Sequence, residues 1–210
     1  MRITIIGATG MIGSEVTAEA ARRGHDVTAV SRRPAGTAPA GVTPVAADAG
    51  DLAVVKAVLA AADVAVLAVR PAPGQEETLP EMTRTVLDAA AATRTRILVV
   101  GGSGPLWSHD RPGLLVVDDP DRVPPAYRAI ALASTRQLQA CNAHSGADWT
   151  YLSPPADIGP GERTGTFRRG TDTLLTSADG RSHISVEDFA IAVTDELEHP
   201  TGTPHITVAY

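Results

Sequence analysis

Gly7, Gly10 and Gly13 stand three residues apart, directly after the apolar run Met1–Ile6 and before the helix-compatible stretch Ser14–Arg23. Strand, glycine-rich turn and helix in that order suit one task, the holding of a dinucleotide pyrophosphate. Gly7 lets the backbone turn sharply out of the strand. Gly10 puts no side chain where phosphate must approach the main chain. Gly13 lets the helix pack closely on the strand. The free N–H groups of the first helical turn then face the anion. The candidate cradle is the whole turn: Gly7, Ala8, Thr9, Gly10, Met11, Ile12 and Gly13. The alternative is a turn with a structural purpose alone.

The end of the second strand bears on which dinucleotide is taken. NAD sites commonly carry Asp or Glu there for the ribose hydroxyls. Here Val27–Ser31 runs into Arg32-Arg33-Pro34, and Asp26 sits at the wrong end of the strand. Two guanidiniums suit a 2′-phosphate through bidentate and stacking contacts. NADP is therefore expected over NAD, the alternative being that both arginines are solvated loop charges. Asp48, after the third strand, either accepts from the adenine amino group or is a turn residue. Ala68 and Val69 close the fourth strand and could line the ribose–nicotinamide half. Arg70 beside them is a phosphate contact or a loop charge.

These residues need elements to position them. Strand signals cover Arg2–Gly7, Asp26–Ser31, Val42–Ala46, Val64–Val69, Arg96–Val100, Trp149–Leu152 and His205–Val208. Helix signals cover Met11–Arg23, Leu52–Ala61, Glu76–Ala92, Ala126–His144 and Val186–Glu198. Gly24 fits the stop of the first helix and Asp51 the cap of the second. Alternation of this kind predicts an α/β chain with a doubly wound parallel sheet and right-handed crossovers. Residues 102–125 and 153–182 break the rhythm. Both should follow strand carboxyl ends, where ligands bind, and they are expected to form the substrate cleft of a single domain spanning 1–210.

Composition narrows the function classes. The chain has 210 residues, 43% of them hydrophobic but only 3% aromatic, so a real core must be built from Val, Leu, Ile and Ala. A net charge of −6 argues against nucleic acid and anionic membranes as partners. Cys141 is the single cysteine, which leaves no intrachain disulfide and no multi-cysteine metal site. The histidines show no metal-ligand spacing, so no metal is expected. No apolar run approaches the ~18 residues of a membrane span, and Met1 leads straight into a strand. A cytoplasmic protein, monomer or homodimer, is the expectation.

GATGMIG, SRRP, ILVVGGSGPLW, DWTYLSPPADIGPGERTG and ISVEDFAIAVTDELEHP together resemble the atypical short-chain dehydrogenases of the Rossmann fold. The resemblance is to the NAD(P)H-binding group related to NmrA-like proteins and to flavin and biliverdin-IXβ reductases, and it covers nearly the whole chain. It implies that Gly101, Gly102, Ser103 and Pro154 flank the nicotinamide. The general short-chain machinery pairs a helical Tyr with a Lys four residues on. Tyr127 is followed by Ala131, and the chain's one lysine, Lys56, lies on another helix. That absence argues against a generic alcohol dehydrogenase. Hydride transfer to a flat conjugated acceptor, a flavin or quinone, needs no such pair, because charge delocalises onto ring heteroatoms. Ser103 could then donate a proton, and Tyr127 is either a substrate-side group or a packing residue at a helix start.

The biliverdin-IXβ pattern Pro-Pro-His is here Pro154-Pro155-Ala156, which puts bilin reduction in doubt. Trp107 could stack on a flat substrate and His109 could donate a proton, or both are surface loop residues. Arg163, Arg168 and Arg169 either draw an anionic substrate to the cleft or form the polar face of an edge strand. Three readings follow: an NADPH-dependent reductase of a flat small-molecule acceptor, a non-catalytic NmrA-like NADP(H) sensor, and a sugar- or carbonyl-modifying relative of the extended type.

Overall fold

The computed structural model describes residues 1–34 and 36–210. In chain order the strands and helices are β1 (Arg2–Ile6), α1 (Met11–Arg22), β2 (Asp26–Ser31), β3 (Val42–Ala46), α2 (Leu52–Leu59), β4 (Val64–Leu67), α3 (Leu79–Thr93) and β5 (Arg96–Val100). They continue with α4 (Arg128–Ala143), β6 (Trp149–Ser153), β7 (Asp157–Gly159), β8 (Arg168–Gly170), β9 (His183–Ser185), α5 (Val186–Glu198) and β10 (His205–Ala209). The central strands are near-continuous apolar runs, VAVL in β4 and RILVV in β5, as strands covered on both faces must be.

The main sheet has the order β3-β2-β1-β4-β5-β6-β10-β8. All its pairings are parallel except β8 on β10. β3 forms one edge, with Pro44 opposite Ala29. A separate two-stranded sheet pairs β7 with β9. α1 and α5 bury one face of the sheet around Ile3, Ile5, Phe189 and Val193. α2, α3 and α4 cover the other around Leu59, Leu87, Ile97 and Tyr151. Leu106, Val116, Val123 and Leu174 make a third, small core beneath the long loop after β5. No described helix is long and apolar enough to cross a membrane.

Local chemistry sets the ends. Asp51 caps α2, its carboxylate accepting from the N–H groups of Ala53 and Val54. Ser185 caps α5 through the Asp188 N–H. Gly24 (φ +79°) stops α1, whereas Arg94 holds the left-handed position after α3 at φ +57° without the freedom of a glycine.

Three expectations need correction. The helix expected from Glu76 begins as a 3-10 turn, and α3 proper starts at Leu79, with Pro80 in its first turn where the missing N–H costs nothing. The helix expected from Ala126 likewise opens with the 3-10 turn Pro125–Tyr127. Segment 153–182 is not wholly irregular, since it carries β7 and β8. The sheet is otherwise the doubly wound, mostly parallel one expected; the short β8 alone runs antiparallel, against β10.

Candidate active site

The order of strands reverses between β1 and β4, which opens a crevice at their carboxyl ends. Register brings the candidate residues there. Ile6 pairs with both Val30 and Leu67, so Gly7, Ser31 and Ala68 leave the sheet at one level. The Gly7 and Ala8 N–H groups both donate to the Val30 carbonyl, at 2.9 and 3.1 Å, which ties the turn to β2.

Two of the three glycines are required by backbone packing. Gly7 has φ +93°, and a Cβ there would stand 2.3 Å from the Ala68 carbonyl oxygen. A Cβ on Gly13 would stand 2.1 Å from the Gly7 carbonyl oxygen. Gly10 differs: it has ordinary extended angles (φ −77°, ψ 166°) and is exposed. A Cβ on it would meet nothing nearer than the Gly7 carbonyl at 3.3 Å. Gly10 is also the N-cap of α1 and gives it no side-chain cap, so the N–H groups of Met11, Ile12 and Gly13 open outward. Thr9 and Met11 are exposed, Ile12 is half-buried and Ala8 is buried.

Beside this turn lies a cavity of about 190 Å³ lined by Thr9, Ser14, Ser31, Pro34 and Ala38, among others. The Ser31 hydroxyl is buried against it and has no hydrogen-bond partner among the described residues. Such an orphan is costly and asks for a ligand atom. Sequence reasoning passed over Ser31, although it immediately precedes the arginine pair. Arg32 and Arg33 are exposed, and neither enters an ion pair or side-chain hydrogen bond among the described residues. Asp48 is exposed, and its Oδ1 accepts from the Gly50 N–H at 2.9 Å, so one oxygen is committed to a turn. An uncapped helix start, a glycine without a side chain and an orphaned hydroxyl fit the diphosphate and adenosine half of a dinucleotide.

Ala68 and Val69 are half-buried at the end of β4, and Arg70 is exposed next to them. Pro154 is buried after β6. Gly101 follows β5, its N–H donating to the Leu152 carbonyl at 3.0 Å. In the loop Gly101–Gly104, Ser103 is the one residue with a side chain; the residue is half-buried and its hydroxyl takes no partner among the described residues.

Other candidates are placed differently. Tyr127 stands at the N-cap of α4 with 56% exposure, so it is not packed at the helix start. Trp107 joins the two long loops through its main chain, N–H to the Asp172 carbonyl and C=O from the Leu174 N–H, while its ring stays exposed. His109 is exposed. The second basic stretch is spent on structure. Arg163 pairs with Glu19 of α1, a carboxylate only 2% exposed that also holds Arg22 and Arg23. Arg169 pairs with Asp195 at 3.1 Å, and Arg168 donates to the Thr176 and Tyr210 carbonyls. Of the two readings of these arginines, Arg168 and Arg169 follow the edge-strand one.

Asp188 fastens the same segment. It accepts from the Thr164 hydroxyl at 2.5 Å, the Gly165 N–H at 2.8 Å and the Tyr210 hydroxyl at 2.7 Å. Burial works to raise its pKa, but these hydrogen bonds prevail and hold it below the usual carboxylate value. Residues 160–167 are therefore strapped across α1 and the start of α5.

Comparison with known proteins agrees with this geometry. The model of the NAD(P)H-binding family matches residues 7–200. A Burkholderia pseudomallei structure, provisionally named an exported protein, shares 42% identity over the full length of both chains, with a TM-score of 0.90. A Bacteroides thetaiotaomicron structure, provisionally named an epimerase, is 36% identical over all of this chain and 96% of its own, with a TM-score of 0.91. A Streptococcus pneumoniae structure, provisionally named an NADH-flavin reductase, is 28% identical over all of this chain and 99% of its own, with a TM-score of 0.90.

Proposed function

The chain belongs to the NAD(P)H-binding family, and from that premise we propose that it is an NADPH-dependent reductase of a flat conjugated acceptor, a flavin or a quinone. One observation carries the reading. A helix start without a side-chain cap, open at Gly10, stands with a second helix that has Ala131 where a proton-relaying lysine would be needed. The name of the Streptococcus pneumoniae neighbour, NADH-flavin reductase, supports the same class of acceptor.

In this reading the N–H groups opening α1 hold the pyrophosphate, with Gly10 leaving room for it. Ser31 Oγ, Arg32 and Arg33 take the 2′-phosphate, Asp48 lies toward the adenine, and Ala68 and Val69 line the nicotinamide ribose. Gly101, Gly102 and Pro154 flank the nicotinamide, which when bound supplies the hydride. Ser103 Oγ gives a proton to a heteroatom of the reduced acceptor and recovers it from solvent. The protein's main work is to set two planar rings against each other. The exposed rings of Trp107 and Tyr127 offer flat surfaces for the acceptor.

The test follows NADPH absorbance with flavin mononucleotide and several quinones. Turnover above the uncatalysed rate is expected. Exchanging Arg32 and Arg33 for Ala should remove about 2–4 kcal/mol of NADP affinity and leave NAD affinity unchanged. Tight NADP binding with no turnover on any acceptor would refute the reductase and favour a sensor. Equal affinity of the unaltered protein for NADP and NAD would refute the assignment of the two arginines.

A further inference from the structure

Tyr151 lies in β6, its side chain fully buried. Its ring fills the space beside Gly101, where a Cβ would stand 2.0 Å from Cζ and 2.2 Å from Oη. The hydroxyl donates to the Ser134 carbonyl at 2.9 Å, with Gln137 Oε1 at 3.2 Å, and receives a long hydrogen bond of 3.4 Å from the Gly102 N–H. The Gln137 amide in turn donates to Thr83 Oγ1 at 3.2 Å. A buried polar chain thus runs from α3 through α4 and β6 to the loop after β5. α4 closes the other side of that loop. A Cβ on Gly102 would be 2.8 Å from Ser134 Oγ, and one on Gly104 would be 2.4 Å from the Ala131 carbonyl.

A phenylalanine would fill the same volume without burying a phenol that needs partners. Burial pushes the Tyr151 phenol far up, so it stays neutral and acts as a donor to Ser134 and an acceptor from Gly102. We propose that Tyr151 is a positioning residue that holds Gly101–Ser103 in the geometry that seats the nicotinamide half of the cofactor and aims the Ser103 hydroxyl. The inference rests on the cofactor reading above and adds a residue that touches no ligand.

Binding of NADPH, followed by nicotinamide emission, is compared with calorimetric binding of 2′,5′-ADP, which carries only the adenosine half. Tyr151→Phe should bind 2′,5′-ADP within about twofold of the unaltered protein and NADPH about fivefold more weakly, as expected for one lost hydrogen bond. The bound-state emission should fall toward that of free NADPH. Hydrogen exchange should quicken at residues 101–104 and not in β1. Packing alone would lower the melting temperature without separating the two ligands. Equal retention of both, or equal weakening of both, overturns the proposal. If Tyr151→Phe does not melt cooperatively, Gln137→Leu leaves the phenol its Ser134 partner and should shift NADPH in the same direction by a smaller factor. Unchanged NADPH binding in that variant overturns it too. Failure of the cofactor reading looks different: the unaltered protein would bind neither ligand, and the positioning role would fall with it.

Discussion

Gly10 and Gly13 should fail in opposite ways when a side chain is added. At Gly10 the backbone is extended, and the nearest atom to a new Cβ is the Gly7 carbonyl oxygen at 3.3 Å, a crowding that a shift of a few tenths of an ångström relieves. Valine is a poorer N-cap than glycine, which costs about 1 kcal/mol, or roughly 2–4 °C in a chain of this size. Its methyl groups would occupy the space in front of the open N–H groups of α1. Gly10→Val should therefore melt cooperatively a few degrees low and bind no NADP. Gly13→Ala puts its methyl 2.1 Å from the Gly7 carbonyl oxygen. Relief there needs a far larger shift than at Gly10, and of an oxygen that accepts from the Gly10 N–H at 3.0 Å and belongs to a residue pressed against Ala68. Overpacking of this kind costs about 3 kcal/mol, or roughly 6–12 °C, with α1 forced off the sheet. Calorimetric titration with NADP and a thermal melt of each variant separate the two. Wild-type affinity in Gly10→Val, or a Gly13→Ala melt within about 2 °C of the parent, would refute the reasoning.

Ser103→Ala should lower kcat for acceptor reduction more than Tyr127→Phe, which should stay within about twofold, well short of the ~10²-fold or more that a true general acid contributes; steady-state rates with flavin mononucleotide decide it. Arg94→Gly should raise the melting temperature by about 1–3 °C, because Arg94 pays for a left-handed φ that glycine adopts freely. Asp188→Asn should destabilise the protein at pH 7. Because the folded pKa of Asp188 lies below its unfolded value, its contribution is full above the ordinary carboxylate range and fades as pH falls through the lowered folded pKa. Denaturant melts should therefore show the two proteins converging in strongly acidic solution and separated at pH 7; a constant gap would contradict this.

The glycine turn, α1 and the five parallel strands from β1 to β5 were legible because each is a local signal: an apolar run, a glycine, a cap such as Asp51. β7 and β8 were not, since three residues carry no periodicity, and β8 owes its direction to β10, about forty positions later. The arginines at 163, 168 and 169 read equally well as a charged mouth or as paired groups. What decides is Glu19 and Asp195, far away in sequence and brought close only by α1 packing on α5. Ser31 and Tyr151 illustrate a second limit. One is a strand-end hydroxyl and the other a strand aromatic, and neither type is unusual there. What sets them apart is a hydroxyl without a partner among the described residues at Ser31, and partners on α4 and in the loop after β5 at Tyr151; both emerge only after the chain has folded.

The two rims of the main sheet differ in sequence yet have a common effect. On the β3 side, Pro44 has no N–H to offer midway along the strand. On the β8 side only Arg168–Gly170 is free, and its two guanidiniums are already engaged with Thr176, Tyr210 and Asp195. An incoming strand finds a gap in the ladder at one rim and a stub guarded by charge at the other. Concentrated solutions of the folded protein should accordingly resist growth into fibres by strand-on-strand lengthening of the main sheet.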